Sequence, residues 1–358
     1  MKKLNLAIIG QGRSGKNIHG MYYISDKNVY FNVKYVVDWD EHRRKVAEDL
    51  YPGCVTFSDY KELFDKKDID VVVNVTYSEL HYQVSKDLLM HGFNVLSDKP
   101  FGRSLYECED LIKTAKENNV FIMAFQQTFY APIYLHTKEV IDSGILGKIE
   151  QIDLRYNGFA RRWDWQTLQK KLGGNSYNTG PHPIGMGLGF IGFDENTRVV
   201  FSKLDHTPMS AGDYDDYVKI LFTAPGKALV DVEINNSDAF SSYVIKVQGT
   251  KGSLMSTHQG YKMKYVVDGE NVERKAIDTF IYNEETLEPI YCREQLIAHE
   301  EEGTYDGEPF GMGTAKLYED LYYALTEGRE PMITAKHASQ VVGVIEEAHA
   351  QNPIPLKF

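Results

Sequence analysis

The sequence predicts an α/β fold in two parts: a doubly wound parallel-sheet domain, then an α+β domain built on a large, mostly antiparallel, open sheet. Three observations carry this expectation. Strand-like and helix-like segments alternate over residues 1–125. A glycine-rich turn, GQGRSG, separates the first strand from the first helix. From residue 126 to 358 the pattern changes to long period-2 strands with turn residues between them, as in an antiparallel sheet with one covered face. One domain is therefore expected over 1–125 and a second over 126–358.

The elements follow in order. LNLAIIG is a short buried strand, RSGKNIHGMYYIS a helix, VKYVVDWD a strand and EHRRKVAEDLY a polar-faced helix. FSDYKELFDKKD reads as a helix, with Ser58 or Asp59 as its N-cap. DVVVNVT is a continuous β-branched run, as expected of a strand covered on both faces. Helix SELHYQVSKDLLMHG ends at Gly92, and strand FNVLSDKP, helix SLYECEDLIKTAKENN and strand VFIMAF complete the unit. Helix IYLHTKEVIDSG then leads into the alternating strand GKIEQIDLRYNGFA. Further strands are TRVVFSKLD, DDYVKILFTA, KALVDVEINNS, SYVIKVQGTKGSLMS, YKMKYVVDG and ENVERKAID, and helices at 312–327 and 335–350 close the chain.

Bulk composition narrows the function classes. The net charge of −12 leaves no basic footprint for nucleic acid. Cys54, Cys108 and Cys292 are far apart and form no CxxC, which argues against a disulfide framework or a structural zinc site. No apolar run approaches the roughly 18 residues of a membrane span. The opening MKKLNLAIIG runs into a glycine turn where a signal peptide would have its cleavage site, so a cytoplasmic protein is expected.

Gly10, Gly12 and Gly15 form the G-x-G-x-x-G of a Rossmann dinucleotide site, with Arg13 and Ser14 inside the turn. The first glycine permits the tight turn, the second lets backbone approach a pyrophosphate, and the third lets helix and strand pack closely. Asp38 ends the second strand, where a ribose-binding carboxylate belongs; it favours NAD over NADP. His42, Arg43 and Arg44 beside it would serve a 2′-phosphate if they faced inward.

VLSDKPFG, residues 95 to 102, together with the glycine turn resembles the Gfo/Idh/MocA family of NAD(P)-dependent sugar and inositol oxidoreductases. The family's E-K-P reads Asp98-Lys99-Pro100 here, and its T-x-x-x-x-H segment gives Thr76 and His81. GTKGSL and the closing helices also look like the family's, so the resemblance spans nearly the whole chain. It implies a nicotinamide cofactor held by the glycine turn, Asp38, Thr76, His81, Asp98 and Lys99. The family's D-x-G-x-H segment is filled by Asn178-Thr179-Gly180-Pro181-His182, which implies that His182 and Lys99 are the catalytic pair and that Asn178 touches substrate. The residue types suit oxidation of a secondary alcohol: histidine exchanges protons near neutrality, and an ammonium stabilises a developing alkoxide.

Departures from the family pattern are informative. Asn178 replaces an aspartate, so any three-member proton relay is broken. Gly185 stands where an aspartate is common, and the segment after the sixth strand, QTFYAP, lacks its arginine. In FARRWDWQTLQ, Trp163 and Trp165 suit a sugar face, while Arg161 and Arg162 suit a carboxylate. The aspartates of AGDYDDYVKILF read as a solvated turn, and AHEEEG as a solvated face or loop, with no metal site.

The expected function is an NAD-dependent oxidoreductase acting on a secondary hydroxyl of a sugar, polyol or sugar derivative. The resemblance also permits an NAD-dependent glycosidase working by transient oxidation and elimination. A nucleotide-sensing regulator is the third reading, and the retention of Lys99 and His182 speaks against it. The open second-domain sheet is expected to pair copies of the chain as a homo-dimer or homo-tetramer.

Overall fold

The structure is a computed structural model that describes residues 2–274, 277, 281–291, 293–306 and 309–357. Six parallel strands, β1 (Leu4–Ile9), β2 (Phe31–Val37), β3 (Val55–Phe57), β4 (Val71–Asn74), β5 (Val95–Ser97) and β6 (Ile122–Ala124), lie in the order β3-β2-β1-β4-β5-β6. This is the doubly wound arrangement, and its order reverses between β1 and β4, where such sheets open a crevice for ligands. The helices are α1 (Gly20–Tyr23), α2 (Glu41–Leu50), α3 (His81–Met90) and α4 (Leu105–Glu117). β4 is buried at all four positions, as its unbroken β-branched run requires.

The second sheet has eight strands. The chain enters it through α5 (Pro132–Ser143), β7 (Ile149–Arg155), α6 (Gly174–Asn178) and α7 (Pro181–Phe190). Strands β8 (Arg198–Asp205), β9 (Tyr217–Thr223), β10 (Leu229–Asn235), β11 (Ile245–Gly249), β12 (Gly252–Ser256), β13 (Gly260–Tyr265) and β14 (His299–Thr304) follow. The order is β14-β13-β12-β11-β7-β10-β9-β8, antiparallel except for the β7–β10 pair. Strand β9 alternates half-buried and fully buried positions, because only one face is packed. Helix α7 lies directly on that face. A Cβ on Gly187 would stand 2.6 Å from Val230 Cγ1 and 2.9 Å from Phe222, so glycine sets how close the helix comes.

Helices α8 (Pro309–Glu327) and α9 (Ala335–Gln351) run back onto the first domain. Ala338 and Val342 join a buried cluster with Leu88, Val95 and Leu111, and Tyr318 packs among Tyr22, Tyr23 and Phe31. Among the described residues no helix is long and apolar enough to cross a membrane.

Several local expectations are corrected. FSDYKELFDKKD is not a helix: β3 ends at Phe57, and a single 3-10 turn, Tyr60–Leu63, follows, with Asp59 and Glu62 forming a capping box. The first helix begins as one π-helical turn, Gly15–His19, before the single α-turn of α1. SYVIKVQGTKGSLMS is a hairpin of two strands, β11 and β12. AHEEEG is the solvated face of an edge strand, β14, so of the two readings the face holds and the loop does not. Residues 270–274 of ENVERKAID form no strand; 275, 276 and 278, like Cys292, lie outside the described residues.

The aspartates read as a solvated turn are buried: Asp213, Asp215 and Asp216 are 1%, 2% and 3% exposed. Each accepts local donors. Asp213 takes the Gln169 N–H at 2.9 Å, Asp215 the Ser176 N–H at 2.7 Å and Oγ–H at 2.9 Å, and Asp216 the Thr207 N–H at 2.9 Å. They tie the segment carrying α6 to the sheet. Burial pushes the Asp215 carboxyl up to about 7, against the bonds from Ser176 that lower it. The folded state thus holds this proton more tightly than the unfolded chain. Its contribution to stability is present below the ordinary value of 3.8 and is lost as pH rises through about 7. Asp215→Asn cannot ionise. Its melting temperature relative to the wild type should therefore be higher at about pH 8 than at about pH 5, read by calorimetry at both.

Candidate active site

The glycine turn crosses the carboxyl end of β1. Gly10 N–H donates to Val37 O at 2.8 Å, and a Cβ on Gly15 would stand 2.0 Å from Gly10 O, so the turn closes only with glycine there. Asp38, 7% exposed, accepts the Gln11 N–H at 2.8 Å and the Asp40 N–H at 2.9 Å. Arg43 Nη1 lies 3.6 Å from its carboxylate, whereas Arg44 turns away to the carbonyls of Asp38 and Trp39 at 2.7 and 2.9 Å.

From this turn a cavity of about 900 Å³ extends towards the second domain. Strand β5 delivers Asp98 and Lys99 to it, with a cis Lys99–Pro100 peptide. Asp98 accepts the Ser14 hydroxyl at 2.6 Å and the Lys99 N–H at 2.8 Å. Burial alone would raise its carboxyl; the neighbouring His19, Lys99 and His81 outweigh burial and hold it well below the usual range. Lys99 Nζ reaches across to the end of α6, donating to Asn178 O at 2.5 Å and Oδ1 at 3.2 Å. Gln166 Nε2 donates to the same Oδ1 at 2.8 Å, and Gln166 Oε1 accepts from Arg162 Nη2. Burial lowers the Lys99 ammonium pKa; Asp98 opposes this, and Arg162 and Arg13 add to it.

His182 sits in the first turn of α7, which Pro181 starts at a position that needs no N–H donor. Its Nδ1 meets Thr128 Oγ1 at 3.3 Å, leaving Nε2 for the cavity. Burial, then the charge of Lys99, lowers its pKa to about 3, so the ring is neutral at physiological pH. Thr76 and His81 line the cavity too; Thr76 Oγ1 donates to Asn74 Oδ1 at 2.8 Å, and His81 is fixed between Pro100 O at 2.8 Å and Thr76 O at 3.1 Å.

The structure therefore brings Gly10, Gly12, Arg13, Ser14, Asp38, Thr76, His81, Asp98, Lys99, Asn178 and His182 to one cavity. Gly15 supports the turn from beneath. Of the four residues singled out in FARRWDW, Arg162 and Trp165 line the cavity, Trp165 packing edge-on to Tyr77 at 4.8 Å. Arg161 and Trp163 do not: both are exposed, Trp163 at 77%. Sequence reasoning missed Gln166, Thr128 and His19. Gln166 lies in a stretch noted only for its charges and rings, and Thr128 in one noted only for a missing arginine. No sequence signal marks His19, which ends the π-turn with its Nε2 3.8 Å from Asp98 Oδ2.

The fold and this cavity are those of a dinucleotide-binding protein with a second, sheet-based domain, and comparison with known proteins narrows the class. A profile described as "Oxidoreductase family, NAD-binding Rossmann fold" matches residues 4–126, and the GFO/IDH/MocA C-terminal domain matches residues 134–255. The chain belongs to the Gfo/Idh/MocA family. It is 24% identical, over 71% of its length and 67% of the relative's, to the 2,7-anhydro-N-acetylneuraminate hydratase of Mediterraneibacter gnavus. It is 30% identical, over 50% of each chain, to the inositol 2-dehydrogenase/D-chiro-inositol 3-dehydrogenase of Lactiplantibacillus plantarum. Among solved structures, KijD10, a 3-ketoreductase from Actinomadura kijaniata in complex with NADP and TDP-benzene, superposes with a TM-score of 0.77 at 15% identity, covering 98% of both chains. GenD2 from gentamicin A biosynthesis, in complex with NAD, gives 0.76 at 19% identity, covering 98% of this chain and 94% of its own.

Gly15→Ala should both destabilise the fold and weaken nicotinamide nucleotide binding by about tenfold or more, because the turn must open to admit a methyl group. Melting curves with and without nucleotide check this: the stabilisation by nucleotide should shrink along with the melting temperature.

Proposed function

We propose that this protein is an NAD-dependent oxidoreductase that transfers a hydride between a secondary hydroxyl of a sugar, polyol or sugar derivative and nicotinamide. One observation carries the reading: Lys99 from the first domain and His182 from the second line the same cavity as the glycine turn and Asp38. The residues fit the nucleotide. Gly10 and Gly12 line the cavity, a Cβ on Gly12 would meet only Arg43 Nη1 within 4 Å and so project into open space, and a buried carboxylate stands beside the turn. When bound, the nicotinamide supplies the hydride acceptor or donor. The Lys99 ammonium donates to the reacting oxygen and stabilises its negative charge. His182, neutral and fixed by Thr128, takes the hydroxyl proton on Nε2. Asn178 holds Lys99 in place with two neutral oxygens, one of them steadied by the Gln166 amide N–H, so its charge stays available to the substrate.

Asp38 supports NAD over NADP, since its carboxylate would repel a 2′-phosphate. Arg43 is the residue that works against this preference, and Arg44 is already committed to backbone carbonyls. A relative named as a hydratase favours a second reading, in which the same residues serve a reaction without net oxidation, such as glycoside cleavage by transient oxidation and elimination. Sugar turnover with substoichiometric NAD+ and no accumulated NADH would select that reading. Pairing of copies through the open face of the eight-stranded sheet remains part of the proposal, and light scattering tests it.

Calorimetric titration should give NAD+ binding at least about tenfold tighter than NADP+, with the preference reduced in Asp38→Ala. NADP+ binding as tightly would overturn the cofactor assignment. Lys99→Met should lower kcat by about a thousandfold while nucleotide affinity changes by less than about threefold. Because the His182 pKa is lowered to about 3, kcat/KM should show no acid limb near the ordinary histidine value. The alkaline limb, from loss of the Lys99 proton, should fall below the ordinary lysine value of 10.5.

A further inference from the structure

His19 is fully buried, and its Nε2 is a buried nitrogen with no hydrogen-bond partner. That nitrogen points at the Asp98 carboxylate, 3.8 Å from Oδ2. The π-turn Gly15–His19 ends on this residue, and such turns widen a helix to re-aim one side chain. On the other side of the ring, Nδ1 meets Tyr318 Oη of α8 at 2.6 Å, and Tyr23 donates to that same hydroxyl at 2.5 Å. Burial raises both tyrosines well above their ordinary value, so both keep their protons. Tyr23 donates to Tyr318, which has one proton left to give, and Nδ1 is the acceptor in reach. The proton of a neutral ring then sits on Nε2, facing the carboxylate. The chain of donors runs from Tyr23 to Tyr318 to His19, and its last member faces Asp98.

We propose that His19 is a positioning residue: oriented by Tyr318 from the C-terminal helix, it holds the Asp98 carboxylate as an anion beside Lys99. The inference rests on the function proposed above. Asp215 also has a ring nitrogen 3.8 Å away, His349 Nε2, but that nitrogen meets Ser176 Oγ at 2.8 Å instead, and burial pushes the Asp215 carboxyl up to about 7. Asp98, also buried although it lines the cavity, is held low. The groups facing it are Ser14 and His19 from the first turn, His81 from α3, Lys99 from its own strand, His182 from α7 and Tyr318 from α8, with Arg13 and Arg162 facing Lys99.

The probes are NAD+ and NADH, which differ by one positive charge on the ring. In His19→Leu, acidification should protonate Asp98, remove the anion and weaken NAD+ relative to NADH. Between about pH 8 and about pH 6, the ratio of the two dissociation constants should rise about three- to tenfold more than in the wild type, where Lys99 titrates equally. His19→Gln, which keeps an N–H in reach of the carboxylate, should restore most of the wild-type behaviour. An unchanged pH dependence in a folded His19→Leu protein that binds both nucleotides overturns the proposal. If His19→Leu does not fold, Tyr318→Phe, which keeps the ring stack with Tyr22, should give the same trend more weakly, and no trend there counts equally against it. If the wild type binds neither nucleotide, the proposed function fails, and the ring tautomer decides this inference separately. Nitrogen NMR of histidine-labelled protein should show His19 protonated on Nε2 with Nδ1 as acceptor; the opposite tautomer would overturn it.

Discussion

The candidate site depends on one bridge, from the ammonium of Lys99 on the first domain to the backbone and side-chain oxygens of Asn178 on the second. An ammonium in a half-closed cavity is costly unless several oxygens surround it. Here those oxygens are neutral, so the charge is solvated without being cancelled. A carboxylate at position 178 would hold the lysine more firmly, and it would also mask the charge that a substrate oxygen needs. The same bridge fixes how the two domains face each other across the cavity, because Asn178 is itself pinned by Gln166 and α6 is tied to the sheet through Asp215 and Asp216.

Placement of the histidine follows from packing. Helix α7 meets the sheet at Gly187, which lies almost in contact with Val230 and Phe222, while Gly185 and Gly189 let it close on Phe129. A helix pressed that tightly has little freedom to slide or roll. Its first turn therefore presents His182 at a set height above the sheet, and Thr128 fixes the ring. Histidine and lysine reach the cavity from separate domains, each on a rigid element, with the cavity between them.

Much of this was legible in the sequence where chemistry forces a pattern. Gly10 and Gly15 had to be glycine, β4 had to be continuously apolar, and the alternation of the later strands had to reflect one packed face. The doubly wound sheet and the antiparallel sheet follow from those constraints, whereas Lys99 and His182 were legible only through the resemblance of their segments to the family's. Other features rest on long-range contacts that no local pattern encodes. Asp213, Asp215 and Asp216 look like a polar turn because the donors that satisfy them, such as Gln169 N–H and Ser176 N–H, lie far away in sequence. The charged run at 299–304 pairs as an edge strand because β13 offers it a ladder; its charges stay in water on the rim, where they discourage further strands from adding. Tyr60–Leu63 shows the reverse case: a sound capping box marks the start of a turn, and the helix expected after it does not continue.

The return of α8 and α9 to the first domain bears on how the protein is made. A ribosome releases the six parallel strands early, and domains generally begin folding as they emerge. Yet Ala338 and Val342 cover part of that domain's core, and Tyr318 fills the space between Tyr22 and Phe31. Until the last helices arrive, the first domain carries an apolar scar that only its own distant C-terminal segment fits. The unit made first is thus completed last, so during synthesis a chaperone has more reason to linger on the first half of this chain than on the second.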